Sequence, residues 1–199
     1  ITNSCNVFFY EVGYQLGLNG DKYDQDLGNE KLAKYADMYG LNEKSGIEIE
    51  ESEPQISDAL SVVSAIGQGT NNFTTVGLAR YVTTVANSGT CYDLTLLDKV
   101  TDTSGNLLVN YSANVRNTID MPQSYWNAIH QGMRGVVQNK KYYQDFGVEV
   151  AGKTGTAEED KSRPNHGLFV GYAPYDNPEV SMAIRIANGY SSDYACQLS

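Results

Sequence analysis

The stretch Val148-Glu149-Val150-Ala151-Gly152-Lys153-Thr154-Gly155-Thr156-Ala157-Glu158 constrains this chain more than any other. It opens with strand-like alternation. Val148 and Val150 are β-branched and two apart, and residues two apart share one face of a pleat. The stretch then gives up bulk. Gly152 and Gly155 lack a Cβ, which weakens a strand and lets another group approach its backbone closely. Between them stand one cation, Lys153, and one hydroxyl, Thr154. A strand of this profile lines a site, or it is an ordinary edge strand with an exposed lysine. The triplet alone fits both.

Gly147 to Thr154 also fits the phosphate-loop pattern of Gly, any four residues, then Gly-Lys-Ser/Thr. That pattern needs a strand before Gly147 and a helix opening near Lys153. The sequence has the reverse order. Val-Glu-Val-Ala alternates as a strand, and the residues after Thr154 show no apolar face at helical spacing. The match is therefore not read as a phosphate site. The other reading is Lys-Thr-Gly on a strand edge facing an acyl-transfer centre.

At 199 residues and 41% hydrophobic the chain is long enough for one packed domain. A net charge of −10 argues against nucleic acid as a partner, because phosphate binding wants a basic face. Cys5, Cys91 and Cys196 are an odd number and are not spaced as metal ligands, and the two histidines are His130 and His166. Neither a metal nor a cofactor is expected. The cysteines are read as small buried or half-buried residues. No apolar run reaches the length of a membrane span, and no signal-peptide pattern opens the chain. The abrupt start at Ile1 reads as a piece of a longer protein.

Apolar spacing predicts a helix over 4–18, with Val7, Phe8, Val12 and Leu16 on one face and Ser4 and Asn6 in its first turn. A second helix is expected over 29–39, stopped by Gly40. The acidic run Glu48–Glu53 is read as a solvated face of an irregular connection. Gly67-Gln68-Gly69 marks a special backbone turn. A helix capped by Thr74 or Thr75 should run to Asn87, burying Val76, Leu78, Ala79, Val82, Val85 and Ala86. Strands are expected at 94–101 and 107–111 around Ser104-Gly105-Asn106. A helix from Pro122 to Val137 should bury Trp126, Ile129, Met133 and Val136/Val137. Strands follow at 148–157, 166–173 and 179–187. Helices first and adjacent strands last imply an α+β fold with an antiparallel sheet and flanking helices.

Four stretches in order carry a family resemblance: Thr2-Asn3-Ser4-Cys5-Asn6; Gly67-Gln68-Gly69 with its helix; Met133-Arg134-Gly135-Val136-Val137; and Gly152-Lys153-Thr154-Gly155-Thr156-Ala157, followed by His166-Gly-Leu-Phe-Val-Gly-Tyr-Ala-Pro174. Ser-x-Asn is the weakest, since it recurs at Ser104–Asn106 and Ser112–Asn114. Together they resemble the transpeptidase domain of penicillin-binding proteins, class B rather than class A. The resemblance implies that residues 1–199 are the C-terminal part of such a β-lactamase/transpeptidase-like domain. It also implies a serine D,D-transpeptidase acting on peptidoglycan stem peptides that end in D-Ala-D-Ala, and trapped by β-lactam antibiotics. The parent would be anchored at the extracytoplasmic face of a bacterial membrane through an upstream segment.

Residue by residue, the resemblance makes Lys153 the cation that orders Ser4, and Ser4 a relay towards the leaving nitrogen. It gives Asn6 the substrate's peptide group, and the Thr154 and Thr156 hydroxyls its terminal carboxylate. The Thr156 N–H supplies half of an oxyanion hole, and Gly155 lets an extended substrate lie against the strand. A helix N-cap accounts for Ser4 equally well. Gly67-Gln68-Gly69 is read as a turn shaping the floor beneath the site. His166 is read as structural, on the strand beside Lys-Thr-Gly, and His130 as a helix-surface residue.

One part of the family pattern is missing. The nucleophile belongs to Ser-x-x-Lys, and no Ser in the chain has Lys three positions on. The nucleophile then lies before Ile1 or is absent, and the chain alone should not form an acyl-enzyme. The first two sheet strands and the nucleophile helix would lie upstream too, leaving the last strand with an unpaired edge for self-association or for docking of the missing part. A β-lactamase-like hydrolase fits less well, because no Glu has Asn four residues on. A penicillin-sensing receptor domain shares the same motifs and would differ in what precedes Ile1.

Overall fold

The computed structural model describes residues 1–199. From the N-terminus it comprises α1 (Asn6–Leu16), a short hairpin β1 (Leu18–Asn19) and β2 (Lys22–Tyr23), α2 (Gln25–Met38), α3 (Ser61–Ser64) and α4 (Thr75–Ala86). Then come β3 (Thr90–Asp93), β4 (Lys99–Thr101), β5 (Leu107–Asn110), β6 (Asn114–Thr118), α5 (Gln123–Val137) and α6 (Lys141–Gln144). The chain ends in β7 (Ala151–Ala157), β8 (His166–Ala173), β9 (Val180–Ile186) and α7 (Ser192–Gln197). The fold is α+β, as expected.

The last three strands form an antiparallel sheet in the order β7-β8-β9. Register runs from Ala151 opposite Tyr172 to Ala157 opposite His166, and from Gly167 opposite Ile186 to Ala173 opposite Val180. The expected strand over 148–157 begins only at Ala151. Pro174, directly after β8, has no N–H to extend the ladder. The Glu149 carbonyl is taken instead by the Tyr175 N–H at 2.8 Å.

Helices cover both faces. Ala151, Val170 and Tyr172 pack with Val82, Val85 and Ala86 of α4 and Met133 of α5. On the other face Phe169, Met182, Ile184 and Ile186 pack with Val137 of α5 and with Ala195 and Cys196 of α7. Trp126, Met133 and Val137 are buried on α5 as the spacing predicted. The C-terminal helix α7 was not expected. The six residues of α7 are too few for a helical period to register, but Ser191 caps the helix by accepting from the Asp193 N–H at 3.2 Å.

Thr74 caps α4, accepting from the Gly77 N–H at 3.0 Å. The buried face is rotated from the expected one. Val76, Leu78 and Ala79 are only half-buried, while Arg80 and Thr84 are fully inside. Arg80 belongs there because its Nη atoms donate to the carbonyls of Gly40, Glu43 and Lys44 in the loop after α2, with the Glu43 carboxylate 4.0 Å from Nη1. That helix begins four residues earlier than expected, because Asp24 caps it by accepting from the Asp26 and Leu27 N–H groups.

The acidic run is not simply a solvated face. The Glu51 carboxylate is 9% exposed and accepts from Ser45 N–H at 2.9 Å and Ser45 Oγ at 2.8 Å. Glu48 accepts from Thr95 Oγ1 and from the Leu96 N–H at 2.8 Å. The expected strand over 94–101 shrinks to β4. The ladder that was not foreseen is β3 with β6, two segments brought together across the hairpin β4–β5. On α1, Val7 and Phe8 are 75% and 61% exposed, so the expected apolar face has no cover among these residues. The helix packs instead through Gly13, where a Cβ would stand 2.7 Å from the Ser61 carbonyl.

Candidate active site

β7 pairs with β8 on one side only, so its other edge is free. Along the strand, Lys153 and Gly155 share one face, and Thr154 and Thr156 the opposite one. The two glycines differ in purpose. A Cβ on Gly152 would meet the Phe169 ring at 2.3 Å and the Val170 carbonyl at 2.7 Å, so this glycine makes room for the core. A Cβ on Gly155 would meet only Leu168, at 3.5 Å, so the strand is uncluttered where it faces outward.

Lys153 Nζ donates to Ser4 Oγ at 2.6 Å and to the Thr154 carbonyl at 2.6 Å. Lys153 and Ser4 are 149 residues apart in the sequence. Burial without a carboxylate partner pushes the Lys153 ammonium below the ordinary lysine range. A lysine so placed gives up its proton more readily than one in water, and a hydroxyl sits within reach to take part in the transfer.

Ser4 is not a helix cap. The N-cap position of α1 belongs to Cys5, whose side chain makes no capping bond, and Ser4 has a left-handed φ of 48°. Such a backbone is disfavoured for a residue with a Cβ and persists where the surroundings hold it. Thr2 contributes to that hold, donating from Oγ1 to the Gly132 carbonyl of α5 at 3.1 Å. Asn6 is the first residue of α1 and is exposed. Thr154 is half-buried and Thr156 exposed. The structure thus joins Ser4 to Lys153 directly, and sets Asn6 two residues beyond Ser4 at the helix start. Cys5 is exposed, against expectation, while Cys91 and Cys196 are buried; all three are free thiols.

The turn Gly67-Gln68-Gly69 lies by this site, and the Gln68 side chain itself reaches β7. Its Nε2 donates to the Thr156 carbonyl at 3.4 Å. The signal was in the sequence as two flanking glycines, and both have φ of +82°.

His166 stands opposite Ala157 and is buried. Its Nδ1 accepts the Asn188 N–H at 3.0 Å, which leaves the proton on Nε2, 2.7 Å from the Glu159 carboxylate. It therefore braces the end of β7 and the following loop against the end of β9. His130 is not a surface residue. Its Nε2 lies 2.7 Å from the Val85 carbonyl and its ring packs on Trp126 and Tyr172, tying α5 to α4.

No group of histidine, cysteine and carboxylate side chains is placed to hold a metal ion. No helix is long and apolar enough to cross a membrane.

Penicillin-binding protein 2B of Streptococcus pneumoniae is 27% identical over 204 residues, covering 88% of this chain and 30% of the relative. Peptidoglycan D,D-transpeptidase MrdA of Haemophilus influenzae is 28% identical over 235 residues, covering 98% of this chain and 34% of the relative. The chain thus spans about a third of the length of these relatives. Penicillin-binding protein A from M. tuberculosis, solved as an imipenem acyl-enzyme complex, superposes with a TM-score of 0.83 at 22% identity, over 99% of this chain and 44% of that one. That likeness establishes the fold. The family described as penicillin binding protein transpeptidase domain matches residues 1–197, and the chain belongs to it.

Proposed function

We propose that this chain forms one wall of a serine D,D-transpeptidase site, of the class B type to which the names of its relatives point. The intact protein would acylate a serine with a stem peptide ending in D-Ala-D-Ala and pass the acyl group to an amine on a neighbouring strand. β-Lactams would trap the acyl-enzyme. The observation that carries this reading is the 2.6 Å contact from a half-buried, destabilised Lys153 ammonium to Ser4 Oγ beside a free strand edge. In the proposed roles Lys153 and Ser4 relay the proton to the leaving nitrogen, and Asn6 holds the substrate's peptide group. Thr154 and Thr156 hold the terminal carboxylate, and the Thr156 N–H contributes to the oxyanion hole. Gly155 leaves room for the extended substrate.

The acylated serine is not among these residues, since Ser-x-x-Lys is absent from the chain. The chain is read as part of a larger transpeptidase domain, and its surface supports this. It exposes 11936 Å², whereas a compact monomer of this size exposes about 9,300 Å². The excess is as large as an obligate interface. We place the active site at the extracytoplasmic face of a bacterial membrane, anchored through another segment of the protein. The unpaired outer edge of β9 is the proposed surface for docking of the remaining part or for self-association.

Labelling with fluorescent penicillin tests the reading. The intact protein should be labelled, and Lys153→Ala should abolish labelling while circular dichroism stays native. The isolated 199 residues should not be labelled. Wild-type labelling of the alanine variant, or any labelling of a residue in this chain, removes the assignment.

A further inference from the structure

Gln68 is held in place more firmly than a surface glutamine needs to be. Gly67 and Gly69 both take left-handed backbone angles, so the turn is fixed on each side of it. A Cβ on Gly69 would stand 2.5 Å from Ser57 Oγ. Ser57 Oγ in turn accepts from the Thr70 N–H at 3.1 Å and from Ser64 Oγ at 2.7 Å. Asn71 closes the turn, with Nδ2 donating to the Gln68 carbonyl at 3.0 Å and Oδ1 accepting from the Ser57 N–H at 2.9 Å. This braced turn holds one amide against one acceptor, the Thr156 carbonyl 88 residues away.

That acceptor lies on the free side of β7. Thr154 and Thr156 are two apart, so their carbonyls point the same way along the strand edge. Lys153 Nζ occupies the first and Gln68 Nε2 the second. An extended peptide adding to this edge must donate its own amide N–H groups to these carbonyls. The Gln68 side chain therefore sits where an acyl donor's amide belongs.

We infer that Gln68 is a displaceable stand-in for the amide of the acyl donor, and so a specificity-determining residue of the cleft. It satisfies the Thr156 carbonyl while the cleft is empty and yields it to a donor that brings an amide N–H of its own. Acyl donors lacking that N–H gain nothing from the exchange. The inference rests on the acyl-transfer reading above.

The test measures acylation of the intact protein by two β-lactams, resolving the non-covalent dissociation constant Ks from the acylation rate k2. One is a penicillin, which carries an amide N–H beside its lactam ring. The other is a carbapenem, which carries a hydroxyethyl group there. Gln68→Ala removes the competitor. The ratio of penicillin Ks to carbapenem Ks should fall about threefold, the low end for a neutral hydrogen bond because 3.4 Å is long. Gln68→Asn keeps the amide but shortens its reach, and should lower the ratio in the same direction without disturbing the turn. A fall in k2 at constant Ks would make Gln68 a fixed brace and overturn the inference. A Ks ratio that stays constant in both variants also overturns it. If wild-type intact protein takes up neither β-lactam, the acyl-transfer reading itself fails and this inference falls with it.

Discussion

Gly152 and Gly155 offer a paired test of how β7 divides its work. Adding a methyl at position 152 drives it into the Phe169 ring, at 2.3 and 2.6 Å, and towards the Val170 carbonyl at 2.7 Å. Neither can retreat. Phe169 is fully buried, and Val170 belongs to the ladder opposite Lys153. Overpacking of this kind costs about 3 kcal/mol, the upper part of its usual range. Replacing glycine by alanine in a strand returns about 0.5 kcal/mol through the unfolded chain. The net loss for Gly152→Ala is about 2.5 kcal/mol. At position 155 the nearest atom is Leu168 Cβ at 3.5 Å, an ordinary contact, so only the gain of about 0.5 kcal/mol remains. With a urea m value of about 3 kcal/mol/M, the midpoint should fall by about 0.8 M for Gly152→Ala and rise by about 0.2 M for Gly155→Ala. The same two proteins should reverse order in penicillin labelling per folded molecule, with Gly155→Ala the slower, because its methyl faces the cleft. Equal urea midpoints would refute the packing argument, and unimpaired labelling of Gly155→Ala would refute the assignment of that glycine to the substrate.

Arg80→Met should lower stability by about 3 kcal/mol in urea unfolding, because it leaves the Gly40, Glu43 and Lys44 carbonyls without their donors. A loss under about 1 kcal/mol would mean that water replaces the guanidinium. Thr74→Ala should lose about 1 kcal/mol by the same assay, since the Gly77 N–H loses its acceptor. Lys153 gives a pH signature. Burial lowers its pKa in the fold, so between that value and the ordinary lysine pKa the unfolded chain binds the extra proton. Stability should therefore rise with pH across this window, relative to Lys153→Met, which has no proton to lose. Parallel urea midpoints for the two proteins between pH 7 and pH 10 would contradict the desolvation of Lys153.

What the sequence made legible followed local periodicity. Trp126, Met133 and Val137 recur at helical spacing and do face the core. The β8 strand ran to Ala173 as expected, where Pro174 stops it. The candidate site's Lys-Thr-Gly stands out in the sequence because glycines in a strand need a reason. Interactions between polar side chains and distant backbone left no such trace. Arg80 carries no local signal of burial, because its three carbonyl partners lie 36 to 40 residues away. Glu51 looked like one acid in a charged run, and only the fold brings Ser45 over it. Ser4 shows a subtler case. Its identity suits a helix cap, but the cap position falls on Cys5, and the left-handed φ of Ser4 separates the two readings.

The free edge of β7 also has to be protected, because unpaired N–H and C=O groups on a strand are a template for pairing with other chains. A covering strand would solve this and close the cleft. Here single side-chain donors meet the carbonyls instead, Lys153 at Thr154 and Gln68 at Thr156. Each contributes a single bond, charge-assisted for Lys153 and weak for Gln68, and an incoming peptide can replace them one at a time. A second β-strand from another copy would have to displace both donors and accommodate the Lys153 charge at its margin. Guarding by individual donors thus keeps the edge unpaired while leaving it available, on the proposed reading, to an extended acyl donor.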